Sequence, residues 1–198
     1  MKWHFYDWDD TILLTRYAIF LSYKFALEKI KGINLTELEF NKLYANSNGY
    51  MAEHGFTSDE ILQVKELKNY VYLNKYWHHI QILKKKFPTD ETHIIVSNTT
   101  QDVIHLLLEK FKMTEYFSQV VGSDAYTGAS RKPSPDLYNF AFSQIQDKFN
   151  TEEDELVIHE DSEFGLNAAL SFHEAHKDTV KHFKIIYTPL HFNIGSYI

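Results

Sequence analysis

Two periodicities of hydrophobic and polar residues alternate along the chain. Short runs rich in β-branched and aromatic residues predict strands, and stretches with apolar residues three and four positions apart predict helices. The predicted strands are residues 3–7, 93–97, 119–122, 155–160 and 183–187. The predicted helices between the later strands are residues 101–111, 135–149 and 163–176. This alternation favours an α/β fold, with a Rossmann-like parallel sheet that has helices on both of its faces.

One long segment interrupts the alternation. Residues 15–80 contain helical patterns with no strand between them, and they are too many for a single crossover helix. Helices are predicted at residues 14–30, 35–44 and 59–72, and Asn46-Ser47-Asn48-Gly49 predicts a turn. We therefore assign residues 1–14 and 81–198 to the α/β core, and residues 15–80 to an inserted helical cap domain.

Composition and charge narrow the class of protein. With 198 residues, of which 44% are hydrophobic, the chain can form one buried core and a smaller lobe. Its formal net charge of -7 disfavours binding to nucleic acid or to an anionic membrane. No apolar run is long enough to cross a bilayer, so we expect a soluble, cytoplasmic protein. Because cysteine is absent, any metal ligands must be oxygen or imidazole nitrogen.

Four short polar segments occur in one order along the chain. They are Asp7-Trp8-Asp9-Asp10-Thr11, Ser97-Asn98, Lys132-Pro133-Ser134-Pro135-Asp136 and Glu160-Asp161-Ser162. Three of them follow predicted strands, so the carboxyl edge of a parallel sheet would bring them together. The first and last segments contain carboxylates that repel one another unless a divalent cation or a proton intervenes. The middle segments offer a hydroxyl, backbone N–H groups and an ammonium, which are suitable donors for a phosphoryl group.

Each segment also has an ordinary structural interpretation. An Asp-x-Asp pair occurs by chance in acidic chains, and Ser97 could cap the helix that follows it. Lys132 could be a solvated surface charge, and Glu160-Asp161 could favour the positive end of the next helix. All of these interpretations would have to hold together, in this order and at strand ends. The combined pattern therefore indicates one functional site.

The ordered set resembles the haloacid dehalogenase-like superfamily of phosphohydrolases, in the subgroup with a helical cap after the first strand. The resemblance covers nearly the whole chain, and it rests on residues 5–12, 94–98, 132–136 and 157–169. It implies that Asp7 is the nucleophile and forms an aspartyl phosphate, while Asp9 acts as general acid and then as general base. It also implies that Ser97, Asn98 and Lys132 bind the substrate phosphate.

The same resemblance implies a Mg²⁺ cofactor. Its ligands would be an Asp7 oxygen, the main-chain carbonyl of Asp9 and the Asp161 carboxylate, with Glu160 binding directly or through water. Asp10 stands where many relatives have glycine, and a short polar side chain tolerates the unusual backbone expected there. The implied activity is hydrolysis of a small phosphorylated metabolite, with neither nucleic acid nor membrane as partner. The sequence does not indicate the oligomeric state.

Two other functions fit the same residues. A sugar phosphomutase would use the same core and pass the phosphoryl group to a second hydroxyl instead of water. A non-catalytic binding module would retain the fold alone. Cleavage of carbon–halogen bonds is disfavoured, because Asp9 and a metal serve no purpose without phosphate charge to neutralise. His159, just before Glu160-Asp161, is predicted to fill an alternating strand position rather than to bind the metal shell.

Overall fold

The chain forms two compact units in a computed structural model that describes residues 1–84 and 86–190. The first unit contains Met1–Leu14 and Ile82–Leu190, and the second contains Thr15–Gln81. Lys85 and residues 191–198 belong to the core predicted from the sequence, and they lie outside the described residues.

The first unit is α/β and the second is helical. The strands in chain order are β1 (Lys2–Tyr6), β2 (Leu13–Leu14), β3 (Gln81–Ile82), β4 (Thr92–Val96), β5 (Gln119–Val121), β6 (Glu155–Glu160) and β7 (His182–Tyr187). The α-helices are α1 (Arg16–Lys31), α2 (Glu37–Ala45), α3 (Ser47–Glu53), α4 (Ser58–Val71), α5 (Gln101–Phe111), α6 (Asp136–Ser143) and α7 (Glu163–His176). Within the described part of the chain, none of these helices is long and apolar enough to span a membrane.

A parallel five-stranded sheet forms the centre of the α/β unit. Its strand order is β5-β4-β1-β6-β7, so β1 lies between β4 and β6. Phe5 on β1 pairs with Ile94 on one side and with Ile158 on the other. The five strands predicted from the sequence are confirmed, each within one residue at either end.

Both faces of the sheet carry helices. On one face, side chains of β1, β4 and β6 pack against α6 and α7 in a buried cluster that includes Phe5, Phe142 and Phe172. A connection between two parallel strands of one sheet is right-handed. The connection from β4 to β5 crosses the sheet in the opposite direction to the connection from β6 to β7, so the two connections lie on opposite faces. Helix α5 therefore covers the other face, where its Ile104 and Leu107 are buried. The predicted α/β fold is confirmed.

Helix α6 is shorter than the prediction of residues 135–149. It ends at Ser143, and a 3₁₀ turn at Gln146–Lys148 follows. Ile145 and Phe149 still lie in the core beyond the end of α6, and the Phe149 ring lies 5.5 Å from that of Phe142. Because residues four positions apart share one face of a helix, their spacing also fits a longer helix, and it does not indicate the end at Ser143.

The helical unit contains α1 to α4, followed by a π-helical turn at Tyr72–Tyr76 and a 3₁₀ turn at Trp77–His79. Capping boxes begin α2 at Thr36 and α4 at Thr57. The turn predicted at Asn46-Ser47-Asn48-Gly49 is wrong, because α3 begins at Ser47. The Asn46 side chain accepts a hydrogen bond of 3.0 Å from the Gly49 N–H and caps this helix. Asparagine is common at turns and at helix caps alike, so the local sequence does not distinguish the two.

Candidate active site

The loop after β1 holds Asp7 at the carboxyl edge of the sheet. The Asp7 N–H donates to the carbonyl of His159 on β6 at 3.0 Å, which continues the ladder of the sheet. The next residue, Trp8, is fully buried. Its carbonyl accepts hydrogen bonds from the N–H groups of Ile12 and Leu13 at 3.1 and 3.2 Å. A tight turn with a buried aromatic anchor therefore follows Asp7 and fixes its place.

The same turn places Asp9 beside the second polar segment. Asp10 has φ of 60°, in the left-handed region, as predicted for a short polar side chain at this position. Its N–H donates to the Leu13 carbonyl at 2.6 Å and closes the turn. The Asp9 Oδ2 atom accepts a hydrogen bond of 2.6 Å from the Thr99 hydroxyl. Asp9 is therefore linked to the loop after β4, 90 residues away in the sequence.

Three carboxylates from opposite ends of the chain meet at this edge. Asp7, Glu160 and Asp161 are all buried, and one carboxylate oxygen from each lies within 4.8 Å of the other two. They come together because β1 and β6 are neighbours in the sheet and both strands end there. The structure thus brings together Asp7, Glu160 and Asp161 from the first and last polar segments, while the side chain of Asp9 binds Thr99.

Lys132 binds two of these carboxylates. Its ammonium donates to Asp7 Oδ1 at 2.9 Å, to Glu160 Oε1 at 2.5 Å and to the Val96 carbonyl at 2.7 Å. These acceptors account for the three hydrogens of an ammonium group. Burial by itself would lower the pKa of Lys132, but the Asp7 and Glu160 carboxylates raise it above its ordinary value. Lys132 is therefore a buried cation and not a solvated surface charge.

The acidic cluster contains more carboxylates than Lys132 can neutralise, so its charge favours a divalent cation. Burial raises the pKa of Asp7 well above its usual range, and the carboxylates of Glu160, Asp161 and Asp9 raise it further, while Lys132 opposes them. Lys132 provides one positive charge for three clustered carboxylates. Buried carboxylate oxygens are the ligands that Mg²⁺ prefers, and a bound cation would favour ionised Asp7. The residues present fit such a metal.

Ser97 and Asn98 connect the central polar segments. The Ser97 N–H donates to the Val121 carbonyl at 2.9 Å, and its buried hydroxyl accepts the Thr99 N–H at 3.1 Å. The Asn98 side chain accepts the Lys132 N–H at 2.8 Å and donates to the Lys132 carbonyl at 3.3 Å. Asn98 therefore holds the backbone of Lys132. Contact of Ser97, Asn98 and Lys132 with a substrate phosphate stays a prediction.

Two residues of the site were not selected from the sequence. Thr99 binds Asp9, and Tyr138 on α6 donates a hydrogen bond to Glu160 Oε1, the oxygen that Lys132 also binds. Thr99 directly follows Ser97-Asn98, and that position is the signal that could have identified it. Tyr138 lies in the apolar stripe of its helix, where its spacing indicates a core residue.

His159 points away from the acidic cluster. Its ring stacks on that of Tyr6 with centroids 4.2 Å apart, and its Nε2 lies 3.0 Å from Nδ1 of His4. Burial lowers the pKa of His159 to about 3, and the nearby charge of Lys84 lowers it further, so the ring is neutral near pH 7. The prediction that His159 fills an alternating strand position is confirmed.

Comparison with known proteins gives one family. The sequence model of the haloacid dehalogenase-like hydrolases matches residues 5–173, which include all four polar segments. A comparison with curated proteins gives no match.

Solved structures share the fold of this chain. CbbY from Rhodobacter sphaeroides, in complex with phosphate, is 16% identical, with a TM-score of 0.73 over 96% of this chain and 86% of that chain. A protein from Lactobacillus plantarum, provisionally described as a phosphoglycolate phosphatase, is 14% identical, with a TM-score of 0.70 over 92% and 84%. A protein from Bacteroides fragilis, provisionally described as a haloacid dehalogenase-like hydrolase, is 15% identical, with a TM-score of 0.68 over 95% and 97%. At these identities the likeness shows the fold alone.

Proposed function

Because the chain belongs to the haloacid dehalogenase-like hydrolases, we propose that it is a Mg²⁺-dependent phosphomonoester hydrolase. The observation that supports this proposal best is the placement of Asp7. It lies at the edge of the sheet, bound to the buried Lys132 ammonium and within 4.8 Å of the Glu160 and Asp161 carboxylates. One phosphoryl group could then meet a nucleophilic carboxylate and an ammonium, next to oxygen ligands for a metal.

In this proposal two aspartates carry the bond changes. A carboxylate oxygen of Asp7 attacks phosphorus, and the bond from phosphorus to the leaving oxygen breaks as Asp9 donates a proton to that oxygen. Asp9, now ionised, takes a proton from a water molecule that attacks the phosphorus of the aspartyl phosphate. That attack breaks the bond between phosphorus and the Asp7 oxygen, so inorganic phosphate leaves, Asp7 is again a carboxylate and Asp9 again carries its proton. The hydrogen bond from Lys132 to Asp7 Oδ1 limits rotation of the nucleophile.

The acidic cluster would hold the metal. Asp7 and Asp161 would bind Mg²⁺ through their carboxylates, together with the main-chain oxygen of Asp9, and Glu160 would bind directly or through water. Bound Mg²⁺ supplies positive charge that neutralises the phosphoryl oxygens and favours ionised Asp7. Lys132 adds a second positive charge on the side of Asp7 where its hydrogen bond lies.

The substrate in this proposal is a small phosphorylated metabolite. Ser97, Asn98 and Lys132 would bind its phosphate, and the helical unit of Thr15–Gln81 would be the cap domain. The descriptions of related structures support this class, since they refer to a phosphoglycolate phosphatase, to bound phosphate and to bound xylulose-(1,5)bisphosphate. Asp9 and the acidic cluster favour a phosphate ester over a haloacid.

The test is phosphate release from a panel of sugar phosphates, nucleotides and phosphoglycolate. We expect turnover with Mg²⁺, loss of turnover with EDTA, and recovery when Mg²⁺ is added back. Asp7→Asn should lower kcat on the order of 10⁶-fold, as loss of a nucleophile does in another covalent catalyst. Asp147→Asn, on an exposed 3₁₀ turn, is the matched control and should leave kcat unchanged.

Each other outcome would contradict a particular part of the proposal. Near-normal turnover by Asp7→Asn would exclude Asp7 as the nucleophile, and turnover that ignores chelation would exclude the metal. Formation of an isomeric sugar phosphate in place of free phosphate would identify a phosphomutase. A wild-type protein that turns over no phosphate ester would indicate a non-catalytic binding module.

A further inference from the structure

The Glu160 carboxylate is held by two donors at one oxygen. It is buried at the end of β6, with 1% of its surface exposed. Its Oε1 accepts hydrogen bonds from the Lys132 ammonium and from the Tyr138 hydroxyl. Charge-assisted hydrogen bonds of this kind are the strong ones in proteins, and they set the direction of the carboxylate.

Tyr138 contacts both members of the ion pair. Its ring is fully buried, stacks on Phe5 with centroids 6.2 Å apart, and lies 5.0 Å from the Lys132 Nζ atom. Its hydroxyl reaches Glu160. Burial raises the pKa of Tyr138 well above its usual value, and the charge of Glu160 raises it further, so the phenol remains a donor.

Gly165 leaves the space that the Glu160 carboxylate occupies. A Cβ atom at Gly165 would lie 1.8 Å from Glu160 Oε2 and 2.0 Å from its carboxylate carbon. Gly165 occupies the first turn of α7, where alanine would favour the helix by about 1 kcal/mol. The absence of a side chain there leaves room for the carboxylate in its observed position.

We propose that Tyr138 is a positioning residue that, with the space at Gly165, holds Glu160 against Lys132 and thereby keeps the ammonium on Asp7. The catalytic consequence rests on the proposed function, because it concerns the charge next to the nucleophile. Without the Tyr138 hydroxyl, Glu160 Oε1 loses one of its two donors, and its carboxylate can turn away from its observed direction. Lys132 would then lose one of the two anions that fix its position between Asp7 and Glu160.

Two substitutions disturb Glu160 through different neighbours. Tyr138→Phe removes the hydroxyl and keeps the ring, so its packing on Phe5 and its contact with Lys132 remain. Gly165→Ala adds a methyl group at the position of the carboxylate and leaves the Tyr138 hydroxyl in the chain. We expect each to lower kcat about 10-fold with little change in KM, as substitutions behind metal-site ligands commonly do. Because both act through Glu160, the double variant should lose little more than either single one.

The control is Trp3→Phe. It removes another buried hydrogen bond to a carboxylate, from Trp3 Nε1 to Asp154 Oδ2 at 2.9 Å, at the opposite end of β1. It should lower the thermal midpoint as Tyr138→Phe does and leave kcat unchanged. Equal kcat losses in Trp3→Phe and Tyr138→Phe, or losses that add fully in the Tyr138 and Gly165 double variant, would overturn the proposal.

A crystal structure of Tyr138→Phe gives a readout that does not depend on activity. We expect the distance from Lys132 Nζ to Glu160 Oε1 to lengthen from 2.5 Å to beyond hydrogen-bond range. Glu160 remaining on Lys132 would overturn the positioning role, whatever the activity of the variant. If the wild-type protein hydrolyses no phosphate ester, the proposed function fails, while this distance still decides whether Tyr138 holds Glu160.

Discussion

At the scale of single residues, the partner of a side chain decides its role more than its residue type does. Asp7 and Asp9 lie two positions apart, yet Asp7 binds a buried ammonium and Asp9 binds a hydroxyl. A carboxylate bound to a fixed ammonium is held in one position, as a nucleophile requires, and the hydrogen bond from Thr99 directs the carboxylate proposed as general acid and base. The two partners therefore agree with the different roles proposed for the pair.

Thr99→Val tests the contact with Asp9. The substitution keeps the shape of the side chain and removes the hydroxyl, so Asp9 loses a donor at 2.6 Å. We expect kcat for alkyl phosphates to fall about 10-fold, a fraction of the roughly 10²- to 10⁴-fold that general acid catalysis contributes. The fall should be smaller for an aryl phosphate, whose leaving oxygen needs less protonation. Steady-state kinetics on both ester types make the comparison.

Thr100→Val is the matched control for that substitution. Thr100 is the neighbouring residue and begins α5 without a side-chain capping hydrogen bond. It should therefore leave kcat for both esters close to the wild-type value. An equal loss on alkyl and aryl esters in Thr99→Val would contradict a role for Thr99 in placing the general acid.

At the scale of elements, the junction between β6 and α7 serves structure and chemistry together. Asp161 follows the last residue of β6, and Ser162 caps α7 by accepting the Gly165 N–H at 3.1 Å. The strand sets the position of Asp161 along the sheet, and the cap sets the direction in which the chain leaves it. Helix α7 matches the predicted residues 163–176, because its polar cap and its apolar period agree.

Ser162→Ala tests this cap. Loss of the side-chain acceptor leaves the Gly165 N–H without its capping partner and should lower the free energy of unfolding by about 1 kcal/mol. Thr100→Ala is the comparison, because Thr100 stands at the same position of α5 and makes no capping hydrogen bond. Urea unfolding of both variants should show the larger loss in Ser162→Ala. Equal losses would show that the Ser162 hydrogen bond contributes nothing beyond its position.

At the scale of the whole molecule, the acidic site makes stability depend on pH and on metal. The folded protein raises the pKa of Asp7 above its ordinary value of 3.8, because the site is buried and contains other carboxylates. In metal-free protein, the native state then binds a proton that the unfolded state has released, so stability falls as pH rises. The contribution of Asp7 is fully present below pH 3.8 and is lost as pH rises through its folded pKa.

Asp7→Asn should therefore stabilise the metal-free protein. The neutral amide avoids the buried charge, so the free energy of unfolding of the variant should rise relative to that of the wild type as pH rises above 3.8. Added Mg²⁺ should reverse the order, because ligands stabilise the state that binds them and the wild type keeps its full ligand set. Urea unfolding across the pH range, with EDTA and with Mg²⁺, measures both effects. Parallel stability curves for the two proteins would contradict the raised pKa of Asp7.

Local sequence patterns determined the strands, the order of the polar segments and most helix positions. Periodicity acts over a few residues, and it indicated β1 and α7 within one residue of their observed ends. The same local signals could not decide between turn and helix cap at Asn46, or where α6 ends. The first depends on the contacts of one side chain. For the second, Ile145 and Phe149 lie in the core beyond the end of α6, at a spacing that a longer helix would share.

The motifs also indicated which polar residues would meet, because parallel strands end at one edge. Only the tertiary structure decided how their atoms pair. Lys132 binds Asp7 and Glu160 at once, Asn98 holds the Lys132 backbone, and Tyr138 reaches Glu160 from inside the apolar stripe of α6. These pairings join residues far apart in the chain, and side-chain direction and burial set them. The spacing of residues along the sequence specifies neither side-chain direction nor burial. From spacing alone, Tyr138 is therefore predicted to be a core residue.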